Sequence, residues 1–115
     1  MTNRDESTPL PIFGKRLRQA RKWLGLPQDK LGVAIGLDES TSSARISRYE
    51  TGVHEPPIST AQALAEELHV PLAFLYCAED DLAVILLNAA RLSGPDRRRL
   101  IKQQDWQFPA ANDRS

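Results

Sequence analysis

The chain has 115 residues, enough for one compact domain and too few for two ordinary ones. At 41% hydrophobic and 6% aromatic it can bury a small core, and it is poorly suited to a large β-sandwich. Fifteen basic residues balance fifteen acidic ones, which alone argues against a nucleic-acid binder, yet residues 1–57 carry about +2, residues 58–92 about −4 and residues 93–115 about +2.

The first eight residues are polar, and residues 1–9 read as a disordered arm. Pro9 and Pro11 open a first helix, in which Phe13, Leu17, Ala20 and Leu24 recur at helical spacing and Gly25 is the stop. Between the apolar positions stand Lys15, Arg16, Arg18, Arg21 and Lys22. Trp23 reads as a core residue. A short second helix starts at Pro27-Gln28, buries Leu31, Ala34 and Ile35, and ends at Gly36. Asp38 to Ser43 reads as a turn rich in candidate helix caps. The third helix is expected from about Ser42 to Tyr49, burying Ile46 and Tyr49, with Thr51-Gly52 closing it.

Ser59 is expected to cap a fourth helix with Ala61, Leu64, Ala65 and Leu68 inside, broken by Val70-Pro71. A fifth covers Leu72 to Tyr76. Asp80 and Asp81 suit the first turn of a sixth that runs to about Leu92, and Pro95 starts a seventh ending near Gln104. Residues 108–115 read as a flexible tail. No segment alternates as a strand does. The expectation is all-α: a domain over residues 10–77 and a helical extension over residues 78–107.

No catalytic constellation, phosphate-cradling loop or cofactor fingerprint appears, so the chain does not read as an enzyme and no cofactor is called for. His54 and His69 lack metal-ligand spacing, the Glu79–Asp81 cluster lacks His or glycine-rich support, and no metal is expected. The single Cys77 excludes an internal disulfide and reads as a packing residue. There is no signal-peptide pattern and no apolar run near the ~20 residues of a membrane span, which predicts a cytoplasmic protein.

Two short helices joined by a tight turn cannot bury their faces alone, and the flanking helices supply the missing cover. Phe13 to Tyr76 resembles the Xre or Cro/lambda-repressor helix-turn-helix domain. The carrying segments are FGKRLRQARKWLGLPQDKLGVAIGL, ARISRYETGVHEPP and ISTAQALAEELHVPLAFL. The resemblance implies a five-helix DNA-binding domain, here with two extra C-terminal helices, acting as a sequence-specific regulator of transcription on double-stranded DNA. It implies that Ser42, Ser43 and Ala44 open the recognition helix and meet base edges, with Arg45 and Arg48 one turn on. Arg48 has the fork that fits guanine O6 and N7. It implies that Gln28 grips a phosphate, that the loop from Thr51 to His54 faces another, and that Arg21 and Glu50 pair the first helix with the third. Arg16, Arg18, Arg21 and Lys22 are candidate backbone contacts, Arg16, Arg18 and Lys22 being equally readable as a solvated helix face.

Three departures accompany the resemblance. The connection from Gly36 to Ala44 is about four residues longer than usual and carries Asp38 and Glu39, which either point away from DNA or cap the helix. Pro27 stands where Ser or Thr is common, and Glu55 where Lys or Arg is. Leu82, Ile85, Leu86, Ala89 and Leu92, with Leu100 and Ile101, leave apolar surface on the extension, which predicts a homodimer. The alternative function is a helical protein-interaction module, such as an antitoxin or adaptor.

Overall fold

The computed structural model describes residues 11–111, so the expected arm at residues 1–9 and the last four residues of the expected tail lie outside the described residues. Seven helices follow one another, and no strand occurs among the described residues. They are α1 (Ile12–Trp23), α2 (Gln28–Ala34), α3 (Glu39–Thr51), α4 (Ile58–Leu68), α5 (Leu72–Leu75), α6 (Asp80–Arg91) and α7 (Gly94–Gln104).

The first five helices share one core. Leu17, Leu31, Ile46, Leu64, Phe74 and Leu75 lose essentially all contact with solvent, so each of these helices contributes at least one side chain. Each such burial contributes about 1.5–3 kcal/mol before conformational entropy is subtracted. In α1 the spacing Phe13, Leu17, Ala20 puts three apolar residues on the inner face. Gly14 lies where α1 crosses α3, and a Cβ there would strike the backbone carbonyl of Glu50. Trp23 is not core: at the last position of α1 it is 55% exposed, its ring tilted 44° to that of Phe74 with centroids 5.7 Å apart.

The third helix differs most from the sequence reading. It begins at Glu39, one turn before Ser42, and runs for 13 residues. The Asp38 carboxylate accepts the Ser40 N–H at 3.0 Å and the Ser40 hydroxyl at 3.1 Å, so Asp38 is the N-cap and the polar run behind it is helical. The four additional residues therefore lengthen the helix, and the link to α2 is only the short segment 35–38. At the other end Gly52 takes a left-handed φ of 83° beside Pro11, a conformation that favours glycine.

Ser59 does not cap α4. The cap is Pro57, two residues earlier, because Pro57 is pre-set for helix entry and its carbonyl accepts the Ala61 N–H at 3.0 Å. Ser93 caps α7 by accepting the Asp96 N–H at 3.1 Å. Arg97 closes the end of α6 by donating to the carbonyls of Ala89, Ala90 and Leu92.

The extension is held at its root and lightly covered beyond it. Ala83 is the one buried residue of α6, Leu86 and Leu87 lean on the core, and α7 buries none. The expected α6 stripe is thus split: Leu86 faces inward while Leu82, Ile85 and Leu92 face solvent. No helix among the described residues is long and apolar enough to cross a membrane.

Candidate nucleic-acid interface

The inner face of α3 carries Ser42, Ile46, Tyr49 and Glu50, at steps of four, three and one. Ser42 is 0% exposed and packs against Gly32 of α2, and its hydroxyl donates to the Asp29 carbonyl at 2.7 Å. A side chain so placed fastens the two helices together and cannot reach a base edge, which corrects its placement among the base contacts. The opposite face of α3 presents Ser40, Ala44, Ser47, Arg48 and Thr51, with Ser43 and Arg45 on its two flanks. Ser40 and Ser47 were missed in the sequence. Their spacing from Ala44 and Thr51 would have found them, had the helix been started at Glu39.

Behind Ser43 runs a chain of hydrogen bonds. Arg21 clasps Glu50 in a two-pronged ion pair, Nε to Oε2 at 2.6 Å and Nη2 to Oε1 at 3.2 Å, while its Nη1 donates to the Leu26 carbonyl at 3.0 Å. The Glu50 side chain is 3% exposed, so the pair is withdrawn from solvent. Gln28 donates from Nε2 to the same Glu50 Oε1 at 3.0 Å, and its Oε1 accepts the Ser43 hydroxyl at 3.3 Å. These bonds tie the ends of α1, α2 and α3 to one carboxylate. Arg21 therefore has three of its N–H donors turned inward, an arrangement that orients α3 on α1.

Arg16 is also misplaced by the sequence reading. Its side chain is only 2% exposed. It donates to the carbonyls of Cys77 at 2.8 Å and Ala78 at 3.3 Å and to Asp80 at 2.9 Å, and it lies over the Phe74 ring. It fastens the start of α6 to α1 and is no backbone contact. Arg18 and Lys22 stay exposed on α1, as does the Arg48 side chain on α3. The His54 N–H donates to the Arg48 carbonyl at 3.2 Å, so that amide closes α3 and is not free for a phosphate. The Thr51 hydroxyl is likewise turned back to the Ser47 carbonyl at 3.0 Å.

The acidic residues before α3 have a structural use. Two hydrogen bonds from Ser40 hold the Asp38 carboxyl below its ordinary range, and its negative charge sits at the positive end of the helix. Tyr76 moves the other way: partial burial, with Glu55 nearby, pushes its phenol up. No group of three or more His, Cys, Asp or Glu side chains among the described residues is arranged to hold a metal.

Comparison with known proteins agrees with this geometry. A family model described as Helix-turn-helix matches residues 17–75, about half of the chain. An uncharacterized HTH-type transcriptional regulator of Sinorhizobium medicae is 32% identical over 75 residues, which is 64% of this chain and 51% of that protein. A similar regulator of Rhizobium meliloti matches to the same extent. The chain thus spans about half the length of these curated relatives. The crystal structure of the transcriptional regulator BswR superposes with a TM-score of 0.76 at 38% identity, covering 82% of this chain and 93% of that one. With α2 and α3 clasped through Ser42, and the family match spanning the whole of that unit, the chain belongs to the helix-turn-helix family of the Xre and lambda-repressor type.

Proposed function

We propose that this protein is a sequence-specific double-stranded DNA-binding regulator of transcription, most simply a repressor, which lays the outer face of α3 in the major groove. The observation that carries the reading is that face itself. Ser40, Ala44, Ser47 and Thr51 are short and uncharged, so the helix axis can come close to the groove floor. Arg48 stands among them as the one long side chain able to engage guanine bidentately. Arg45 flanks it, and Arg18 and Lys22 on α1, with the main-chain amide of Gln28 at the start of α2, supply the backbone contacts that set register. Asp38 and Glu39 lie at the leading end of α3, where the cap accounts for the first of them.

The extension serves assembly in this reading. Leu82, Ile85 and Ala89 on α6, with Leu92 just past its end, follow a three-four-three spacing, and the three large ones are exposed. Ile101 and Trp106 are exposed apolar side chains as well, and a two-fold dimer through the extension would hold two reading helices about one DNA turn (~34 Å) apart.

Selection of bound sequences from a random duplex pool tests the reading. A palindromic consensus is expected, with binding that weakens steeply as salt rises. Arg48→Ala should relax preference at one position, and Arg18→Ala should weaken all sequences alike. If neither heparin nor duplex DNA is bound, the adaptor function gains and the regulator reading fails.

A further inference from the structure

The chain Arg21–Glu50–Gln28–Ser43 has a direction, and that direction bears on which base the protein prefers. It starts from groups whose hydrogen-bonding sense cannot change. Arg21 has only donors, and an ionised Glu50 has only acceptors. Gln28 can lie either way round, since its carboxamide offers a carbonyl at one side and an amino group at the other. Facing the Glu50 carboxylate it must present its amino group, as the 3.0 Å contact from Nε2 to Oε1 has it. Its carbonyl is then turned to Ser43 and takes the hydroxyl proton at 3.3 Å. The Ser43 oxygen, exposed at the flank of α3, is left with lone pairs to offer outward.

We infer that the buried Glu50 carboxylate, acting through Gln28, fixes Ser43 as a hydrogen-bond acceptor, so that the protein selects a base with an exocyclic amino group at the position Ser43 reads. This rests on the regulator reading above. In the major groove, only adenine N6 and cytosine N4 donate. Guanine O6 and N7 and thymine O4 accept, and would face the Ser43 lone pairs without a proton between them. Glu50 and Gln28 are positioning residues here, and Ser43 is the group that touches the base. Glu50 serves the fold and the choice of base together, because the same carboxylate holds Arg21.

Sequence selection with four proteins tests the inference. In the unsubstituted chain and in Ser43→Ala, the position that loses information identifies what Ser43 reads. The unsubstituted protein should show adenine or cytosine there, favoured about 5- to 10-fold over guanine or thymine. In Glu50→Gln the shorter Arg21 Nε contact takes the new carbonyl, which leaves the amino group at the position that Arg21 Nη2 and Gln28 share. Gln28 then reverses, Ser43 accepts from it and donates outward, and the preference should pass to guanine or thymine. Gln28→Ala, at a half-buried site that leaves the Arg21–Glu50 pair in place, frees the hydroxyl to turn either way. It should flatten the preference at that one position while the rest of the consensus stays. It also keeps the test decisive if Glu50→Gln fails to fold. Guanine or thymine in the unsubstituted protein, or an unchanged preference in Gln28→Ala, overturns the inference and leaves the regulator reading intact. Failure of the unsubstituted protein to enrich any sequence overturns both.

Discussion

Arg16 carries more of the fold than its place in a basic helix suggests. Its guanidinium satisfies two carbonyls in the link between α5 and α6 and pairs with Asp80. Arg16→Ala would strand the buried Cys77 carbonyl and remove the packing over Phe74, so it should destabilise the protein by about 2–4 kcal/mol. Urea denaturation would read this as a lower midpoint with an unchanged slope, whereas a backbone contact would have weakened DNA binding and left the midpoint alone. Asp38 gives a pH signature. Because its carboxyl titrates below the ordinary value of 3.8 in the folded protein, its contribution is fully present above that value. The contribution fades as the pH falls through the lower, folded value. Asp38→Asn keeps a cap without a titrating charge. Acid unfolding of the two proteins should therefore diverge only below about pH 4, and parallel curves throughout would show that the cap does not titrate with folding.

Gly14 sets how closely α1 and α3 approach. A methyl group there meets backbone, which cannot swing aside, so Gly14→Ala should cost about 3 kcal/mol or more as the helices separate. Calorimetry should show a fall in Tm of 10 °C or more, about 4–8 °C per kcal/mol for a chain near this size, and a change within 2 °C would mean that the crossing has slack. Most elements are legible in the sequence because period and punctuation agree. Phe13, Leu17 and Ala20 mark α1, and the Ala61-Leu64-Ala65-Leu68 pattern marks α4. The start of α3 was hidden because Ser, Thr and acidic residues compose a turn as readily as a capped helical turn. The choice was made by Ser42 meeting the Asp29 carbonyl, 13 residues back in the chain. Arg16 and the links from Gln28 to Glu50 and Ser43 were illegible for a similar reason. Each depends on neighbours 15 to 64 residues distant in sequence, and spacing along one helix says nothing of them.

The described residues form an extended body. Its radius of gyration is 17.0 Å, against about 13 Å for a compact chain of this length, because α6 and α7 reach away from the five-helix body. Sedimentation at tens of micromolar should show a dimer, and Ile85→Glu should yield a monomer of nearly unchanged Tm, since Ile85 is 53% exposed and supports no core. A monomer in the unsubstituted protein would remove the role given to the extension. The Arg16 anchor then acquires a consequence for the target. It binds the root of α6 to α1, and Gly14 and the Arg21–Glu50 pair bind α1 to α3 in turn. In a dimer built on α6, no soft joint would lie between the symmetry axis and the nucleotide-reading surface. The protein would then measure its site like a fixed calliper: a single base pair inserted between the two halves, a displacement of 3.4 Å and about a tenth of a turn, would find no compensating bend in the subunits.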